Sequence, residues 1–123
     1  MFTAPIPGGT VTLRTASELA VKHRRALQVR LLMFGAARFQ QVRTSTARTT
    51  EDCAVEIGLT PDEVDALEGF SDAAMWALIE SWTLPRPIPE SPAAVRALPP
   101  DLREALAEVS ADESARIWRE VLD

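Results

Sequence analysis

The residue types that most often carry out catalysis or bind metals are scarce in this sequence. Histidine and cysteine each occur once among the 123 residues, as His23 and Cys53. A zinc site needs about four ligands, and a nucleophilic cysteine needs a base beside it, so neither residue has the companions that such chemistry requires. We interpret His23, which lies in a basic stretch, as a surface or interface residue and Cys53 as a small apolar filler.

Carboxylates are the most abundant groups that could perform acid–base chemistry. Asp62, Asp65 and Asp72 fall on predicted helices, but no histidine accompanies them, so a solvated helix face explains them better than a catalytic pair does. The pair Gly8-Gly9 lacks the lysine of a phosphate-binding loop. We therefore predict that the chain is not an enzyme. The prediction includes no catalytic residue, no cofactor-binding residue and no metal ligand.

Basic side chains are concentrated in the first part of the chain. Residues 1–50 contain eight lysines and arginines and one acidic residue, whereas residues 51–123 contain five basic and 17 acidic residues. Either the basic segment packs on the acidic one or it exposes a basic surface, and both interpretations stay open. The candidates for that surface are Arg24, Arg25, Arg30 and Arg38.

Closely spaced arginines can bind phosphates and give salt-dependent affinity for nucleic acid. The whole chain, however, carries a formal charge of −5, and its basic segment also contains an apolar stripe. Nucleic acid is therefore a disfavoured partner, and a small nucleic-acid-binding regulator is kept as the second alternative function.

The tryptophans are the strongest candidates for contact with another protein. Trp76 and Trp82 are six positions apart, which places them on different sides of a helix. One of them either contacts a partner, as tryptophan does at interface hot spots, or packs against the proline segment that follows it. Leu78 and Ile88 accompany them, and these four residues are the candidates for partner contact or packing.

The elements that must position these residues begin with an extended arm over residues 1–16, which is rich in proline and glycine. Residues 11–14 alternate apolar and polar side chains, as a short strand does, but no partner strand is evident. A basic helix is predicted over residues 17–41, where Gly35 weakens the helix but does not have to end it. Residues 43–52 are polar and threonine-rich, which predicts a loop.

The acidic helical part occupies residues 60–123. Thr60-Pro61 is typical of a helix start, and the apolar spacing predicts a continuous or slightly kinked helix over residues 61–82. Prolines at alternate positions then make an extended, proline-rich link at about 84–91. A short helix over residues 92–97 and a last helix complete the chain.

The predicted fold class is therefore all-α. A single helical domain over residues 17–123 forms a small bundle of four to five helices that follows the extended arm. No apolar run reaches the roughly 20 residues that span a bilayer, and the first residues lack the features of a signal peptide. We expect an intracellular protein without a membrane partner.

The link and the helices around it carry a resemblance to a known class of proteins. The relevant stretches are ALIESWTLPRPIPES at 77–91, VRALP at 95–99 and LREAL at 102–106, with LTPDE at 59–63 upstream. They resemble tail assembly chaperones and related small tail morphogenesis proteins of long-tailed bacteriophages, especially those of actinobacteria. The shared layout is a helix ending in tryptophan, a Pro-x-Pro link, a capped short helix and a final helix.

The resemblance covers about half of the chain, and its motifs are structural. It implies an all-helical protein of the host cytoplasm that binds the tape-measure protein while the tail tube is built, with no catalytic residues and no cofactor. The implied partners are tape-measure and tail tube proteins, and self-association stays open. The first alternative is a structural virion protein, such as a connector or a subunit associated with the tail tube.

Overall fold

Three strands and six α-helices, with one short 3₁₀ helix, make up the part of the chain that the computed structural model describes, residues 1–47 and 50–120. The strands are β1 (Phe2–Ile6), β2 (Gly9–Leu13) and β3 (Ile79–Trp82). The helices are α1 (Val21–Phe34), α2 (Ala36–Thr44), α3 (Thr50–Ile57), α4 (Pro61–Leu78), α5 (Pro92–Arg96) and α6 (Pro100–Glu120), and the 3₁₀ helix spans Ala16–Glu18. The all-α prediction is therefore wrong, because the fold is mixed α and β.

The extended arm predicted over residues 1–16 is instead largely a β-hairpin. Strands β1 and β2 pair antiparallel, with Phe2 opposite Leu13 and Ile6 opposite Gly9. Only Pro7 and Gly8 remain between the paired residues. Proline presets the first turn position, and Gly8 has a φ of +85°, in the left-handed region that glycine adopts without a steric penalty.

The third strand replaces the last turn of the helix that was predicted over residues 61–82. Helix α4 ends at Leu78, and β3 follows at once and pairs antiparallel with β2, with Val11 opposite Trp82. The backbone N–H of Arg14 donates to the carbonyl of Leu78 at 2.7 Å. Its guanidinium Nη1 donates to the carbonyls of Ala77 and Ile79, each at 2.9 Å. These contacts hold the end of the helix beside the hairpin.

The single basic helix predicted over residues 17–41 is divided into α1 and α2 at Gly35. This glycine has a φ of 100° and a ψ of 128°, a non-helical conformation that other residues rarely adopt, and the helix is interrupted there. The polar loop predicted over residues 43–52 is shorter than expected, because α2 continues to Thr44 and α3 begins at Thr50. Residues 48 and 49 of that loop lie outside the described residues, as do residues 121–123.

The helix starts predicted in the acidic part are confirmed. Thr60 Oγ1 accepts from the N–H of Glu63 at 3.2 Å, and Glu63 Oε1 accepts from the N–H of Thr60 at 3.0 Å. Ser91 caps α5 by accepting from the N–H of Ala94 at 3.2 Å. The two reciprocal bonds between Thr60 and Glu63 satisfy backbone N–H groups that a helix start otherwise leaves without partners.

Helix α4 lies at the centre of the fold and packs against α1, α5 and α6. The sheet contributes Val11 and Leu13 to the core, while α1 contributes Leu27 and α6 contributes Leu106 and Ile117. All of these side chains are fully buried. None of the helices in residues 1–47 and 50–120 is long and apolar enough to cross a membrane.

Candidate partner-binding surface

The four residues predicted for partner contact or packing lie around the core and do not form one exposed surface. Leu78 is fully buried. Trp82 and Ile88 are half-buried against the core, and the Trp82 indole Nε1 donates to the carbonyl of Arg86 at 2.7 Å, which ties the proline-rich link to β3. Trp76 is also half-buried, and its ring meets that of His23 edge to face with centroids 4.8 Å apart.

His23, expected at a surface or interface, is buried between α1 and α4 with 4% of its area exposed. Its Nδ1 has no hydrogen-bond partner among the described residues. Burial away from water lowers the pKa of His23 below its ordinary value, and the positive charges of Arg14 and Lys22 lower it further, against the opposing effect of Glu80. A neutral ring is therefore the form that the core accepts.

The four arginines predicted as a basic surface have different surroundings. Arg24 donates to the carbonyls of Ala16 and Leu19, and Arg30 donates to the carbonyl of Ala26, all at 3.4 Å. Arg38 is bound more firmly, since it pairs with Glu63 at 2.7 Å and donates to the carbonyl of Gly58 at 2.7 Å.

Of those four arginines, only Arg25 is exposed, whereas the other three are partly buried. The hydrogen bond from Arg38 has the largest effect among those that lower the pKa of Glu63 below its ordinary value. The two interpretations of the charge asymmetry therefore both hold in part. Some basic residues pack on the acidic part of the chain, while Arg25 and the neighbouring Lys22 stay exposed.

The most unusual exposed surface lies on α1, opposite its buried side. The exposed fractions are 65% for Val21, 54% for Val29, 77% for Leu32 and 79% for Met33. At 3.6 residues per turn these side chains fall within an arc of about 120°. Lys22 and Arg25 project from the same arc, and we call these six residues the α1 face.

Large apolar side chains that are exposed singly are common, but a contiguous group of them marks a contact site for another molecule. Sequence reasoning assigned the basic segment only one apolar stripe. The α1 face was missed because apolar residues occur on both sides of this helix, and the sequence does not indicate which side is buried.

A groove runs between α4 and α6 on another part of the molecule. It consists of two adjoining clefts, of about 480 Å³ and 340 Å³, that share Ser71, Met75 and Ala107. The larger cleft is also lined by residues of α2 and α3, among them Val42, Arg43 and Cys53, and by Arg119 of α6. We call it the α4–α6 groove. Its α6 wall bears small side chains, namely Ala107, Ser110, Ala111, Ser114 and Ala115.

Four exposed carboxylates line the outer side of that same α6 wall. They are Asp101, Glu104, Glu108 and Asp112, spaced three or four residues apart, so they project from one side of the helix. We call them the acidic ridge. No ion pair forms at the ridge within the described residues.

An ion-pair cluster around the buried Asp72 links α4, α5 and α6. Asp72 on α4 was expected on a solvated helix face, but that interpretation is wrong for this residue, because only 3% of its area is exposed. It accepts from Arg96 Nε on α5 at 2.9 Å and from Arg103 Nη2 on α6 at 2.5 Å. Arg96 also reaches the exposed carboxylate of Asp65 at 3.1 Å. The pair between Asp72 and Arg103 joins α4 to the α6 wall, and both residues line the smaller cleft of the groove.

Titratable groups are not arranged as a metal centre in the part of the chain that the structure describes. No group of three or more His, Cys, Asp or Glu side chains there could hold a metal ion. Cys53 is buried, and it lines the larger cleft of the α4–α6 groove. The α1 face, with its four exposed large apolar side chains, is our candidate functional site. No protein-family model matches this sequence, and no curated protein or solved structure matches it either.

Proposed function

We propose that this chain is a non-catalytic tail morphogenesis protein, a tail assembly chaperone that binds the tape-measure protein in the host cytoplasm while the tail tube is built. The observation that carries the proposal is the α1 face. Four large apolar side chains project into solvent there beside Lys22 and Arg25. The resemblance of residues 77–106 to tail assembly chaperones supplies the identity of the client.

A long helical client needs a protein that covers it before its tube surrounds it. An amphipathic helix that has not yet been covered exposes an apolar stripe, and such surfaces aggregate. A second helix that presents an apolar face of matching length can cover part of that stripe. Helix α1 has 14 residues, which at 1.5 Å per residue gives a contact about 21 Å long.

Co-expression with the tape-measure protein encoded in the same genome tests the proposal. We expect the chain to keep that protein in the soluble fraction and to co-purify with it. Leu32→Glu should abolish both effects, because it places a charge at the centre of the α1 face. Val55→Glu is the matched control, since Val55 is 86% exposed but lies on α3, outside the α1 face.

The proposal is overturned if Leu32→Glu and Val55→Glu capture the tape-measure protein equally well, or if the wild-type chain does not capture it. Mass spectrometry of purified particles separates the chaperone from a virion component. A chaperone is absent from mature particles, whereas a connector or tube-associated subunit is present at a fixed stoichiometry. The position of the gene gives a further check, because a chaperone gene is expected beside the tape-measure gene.

A further inference from the structure

We propose that, in the absence of a client, the α1 face of one molecule docks on the α4–α6 groove and acidic ridge of a second copy of the same chain. The inference goes beyond the proposed function because it concerns the protein alone. It identifies what covers the exposed apolar residues before a client arrives. Three features of the described residues support it: charge, shape and the direction in which the two surfaces face.

The two surfaces carry opposite charges that are not neutralised within the molecule. Lys22 and Arg25 project from the α1 face, and no acidic residue occurs between positions 19 and 50. The acidic ridge presents four carboxylates, from Asp101 to Asp112. Across residues 1–47 and 50–120, none of these six side chains makes an ion pair. Each surface therefore lacks the charges that the other supplies.

The shapes of the two surfaces are also complementary. Val29, Leu32 and Met33 project from α1 as large apolar side chains. The α6 wall of the groove bears alanine and serine side chains, among them the exposed Ala107 and Ala111. Small side chains let a second helix approach closely, and protruding side chains of one helix pack into the hollows between those of another.

Symmetric pairing of either surface with itself is disfavoured by charge. Two α1 faces would bring the lysine and arginine of both copies together without a single carboxylate. Two acidic ridges would bring eight carboxylates together, because each copy contributes four. Like charges across an interface suppress such pairings, so the contact joins the α1 face of one copy to the ridge of the next.

The α1 face and the acidic ridge of one molecule cannot contact each other. Leu27 on α1 and Leu106 on α6 both point into the core against α4, so the α1 face and the ridge each lie on the outward side of their own helix. A contact between unlike surfaces leaves one of each free at the ends, and further copies add there until a ring closes or a filament grows.

The contact is expected to be weak and reversible. A single helix about 21 Å long, seated in a shallow groove, buries less than the roughly 1,200 Å² that marks the low end of stable interfaces. Because unlike charges face each other near the surface, salt should weaken the contact further. A client with a longer apolar stripe could then displace the second copy.

Sedimentation velocity of the full chain, from low micromolar to several hundred micromolar, tests the inference. We expect the wild-type protein to change from monomer to larger species with concentration, and to return to monomer when the salt is raised from 0.05 M to about 1 M, where screening is nearly complete. A wild-type chain that stays monomeric throughout, or that associates more strongly in high salt, overturns the inference.

Charge-reversed variants identify the surfaces. Lys22→Glu with Arg25→Glu alters the α1 face, and Glu104→Lys with Glu108→Lys alters the ridge. Each variant alone should self-associate at least tenfold more weakly, and an equimolar mixture of the two should associate again, because each contributes one intact surface. Arg86→Glu, an exposed change on the proline-rich link, is the charge control and should behave like the wild type.

A mixture that stays monomeric, or variants that associate as the wild type does, would contradict the assignment of these surfaces. Circular dichroism verifies that each variant keeps the helical content of the wild type. The salt series on the wild-type chain tests self-association without depending on any variant. Failure of self-association with client capture intact removes this inference and leaves the proposed function untouched. If client capture fails while self-association persists, the proposed function is removed and this inference remains.

Discussion

Arg14 shows how a single side chain determines where one element ends and another begins. Its guanidinium donates to two carbonyls at the C-terminal end of α4 and also pairs with Glu80 on β3. The last carbonyls of a helix lack partners and carry partial negative charge, which a cation stabilises. These contacts couple the hairpin to the central helix. They could not be predicted from local sequence patterns, because Arg14 and Ala77 are 63 positions apart.

The Asp72 cluster leads to the first prediction. Asp72→Asn removes the charge that holds Arg96 and Arg103. We expect it to lower the free energy of unfolding by about 1–3 kcal/mol, less than for a fully buried pair, because both arginines are partly exposed and can regain water. Asp65→Asn is the control, since Asp65 also binds Arg96 but is exposed, and its effect should stay below about 1 kcal/mol.

Urea denaturation of both variants at neutral pH provides the measurement. Equal losses of stability in the two variants would mean that the cluster does not depend on the burial of Asp72.

His23 leads to the second prediction, which concerns pH. Because the folded state lowers the pKa of His23, the unfolded chain takes up the proton first as the pH falls. Stability due to the neutral ring is therefore fully present above about pH 6.5, the ordinary histidine value. It is progressively lost as the pH falls below that value towards the lower pKa of the folded state.

The measurement is the free energy of unfolding of the wild type and of His23→Leu between about pH 7.5 and pH 5, the range in which histidine charge changes. The wild type should lose stability towards the acidic end, and the variant should lose markedly less. Parallel curves would show that the histidine environment does not cause the loss.

At the scale of elements, local signals were predictable and long-range pairing was not. The caps at Thr60 and Ser91 follow from neighbouring residues, so the starts of α4 and α5 could be predicted. The sheet depends on pairing between Val11 and Trp82, which lie about seventy positions apart. A strand of four residues such as β3, directly after a helix and with a similar apolar spacing, is also hard to distinguish from one more helical turn.

The break between α1 and α2 leads to the third prediction, in which two glycines are compared. Gly35→Ala should destabilise the protein by about 1–3 kcal/mol, because its positive φ strains any residue with a Cβ atom. Gly69→Ala lies inside α4, where a Cβ would meet nothing within 4 Å, and should stabilise by about 0.5–1 kcal/mol.

Thermal denaturation of the two variants distinguishes these effects, since the midpoints should move in opposite directions. If Gly35→Ala were as stable as the wild type, the division of the basic segment into two helices would not depend on the backbone conformation of this glycine.

At the scale of the whole molecule, the separation of charge along the chain becomes a separation of surfaces. Part of the basic segment is used internally, as in the ion pair between Arg38 and Glu63. Lys22 and Arg25 lie on the α1 face, away from the acidic ridge of the same molecule. Composition could predict this asymmetry. It could not predict which apolar residues of α1 stay exposed, because that depends on how the helix rotates when it packs on α4.

The methionines offer the most direct test of the central claim that the α1 face binds the client. The chain has three, and their methyl signals report on distinct sites. Met33 lies on the α1 face with 79% of its area exposed, whereas Met75 is buried with 8% exposed. Methyl NMR of the dilute protein is recorded while the tape-measure protein is added, and complex formation is followed in parallel by sedimentation.

We predict that the Met33 signal shifts or broadens in proportion to the complex formed, that the Met75 signal stays in place, and that Leu32→Glu abolishes both the complex and the change. A complex that forms while the Met33 signal remains unchanged would contradict the account, because the client would then bind elsewhere on the molecule.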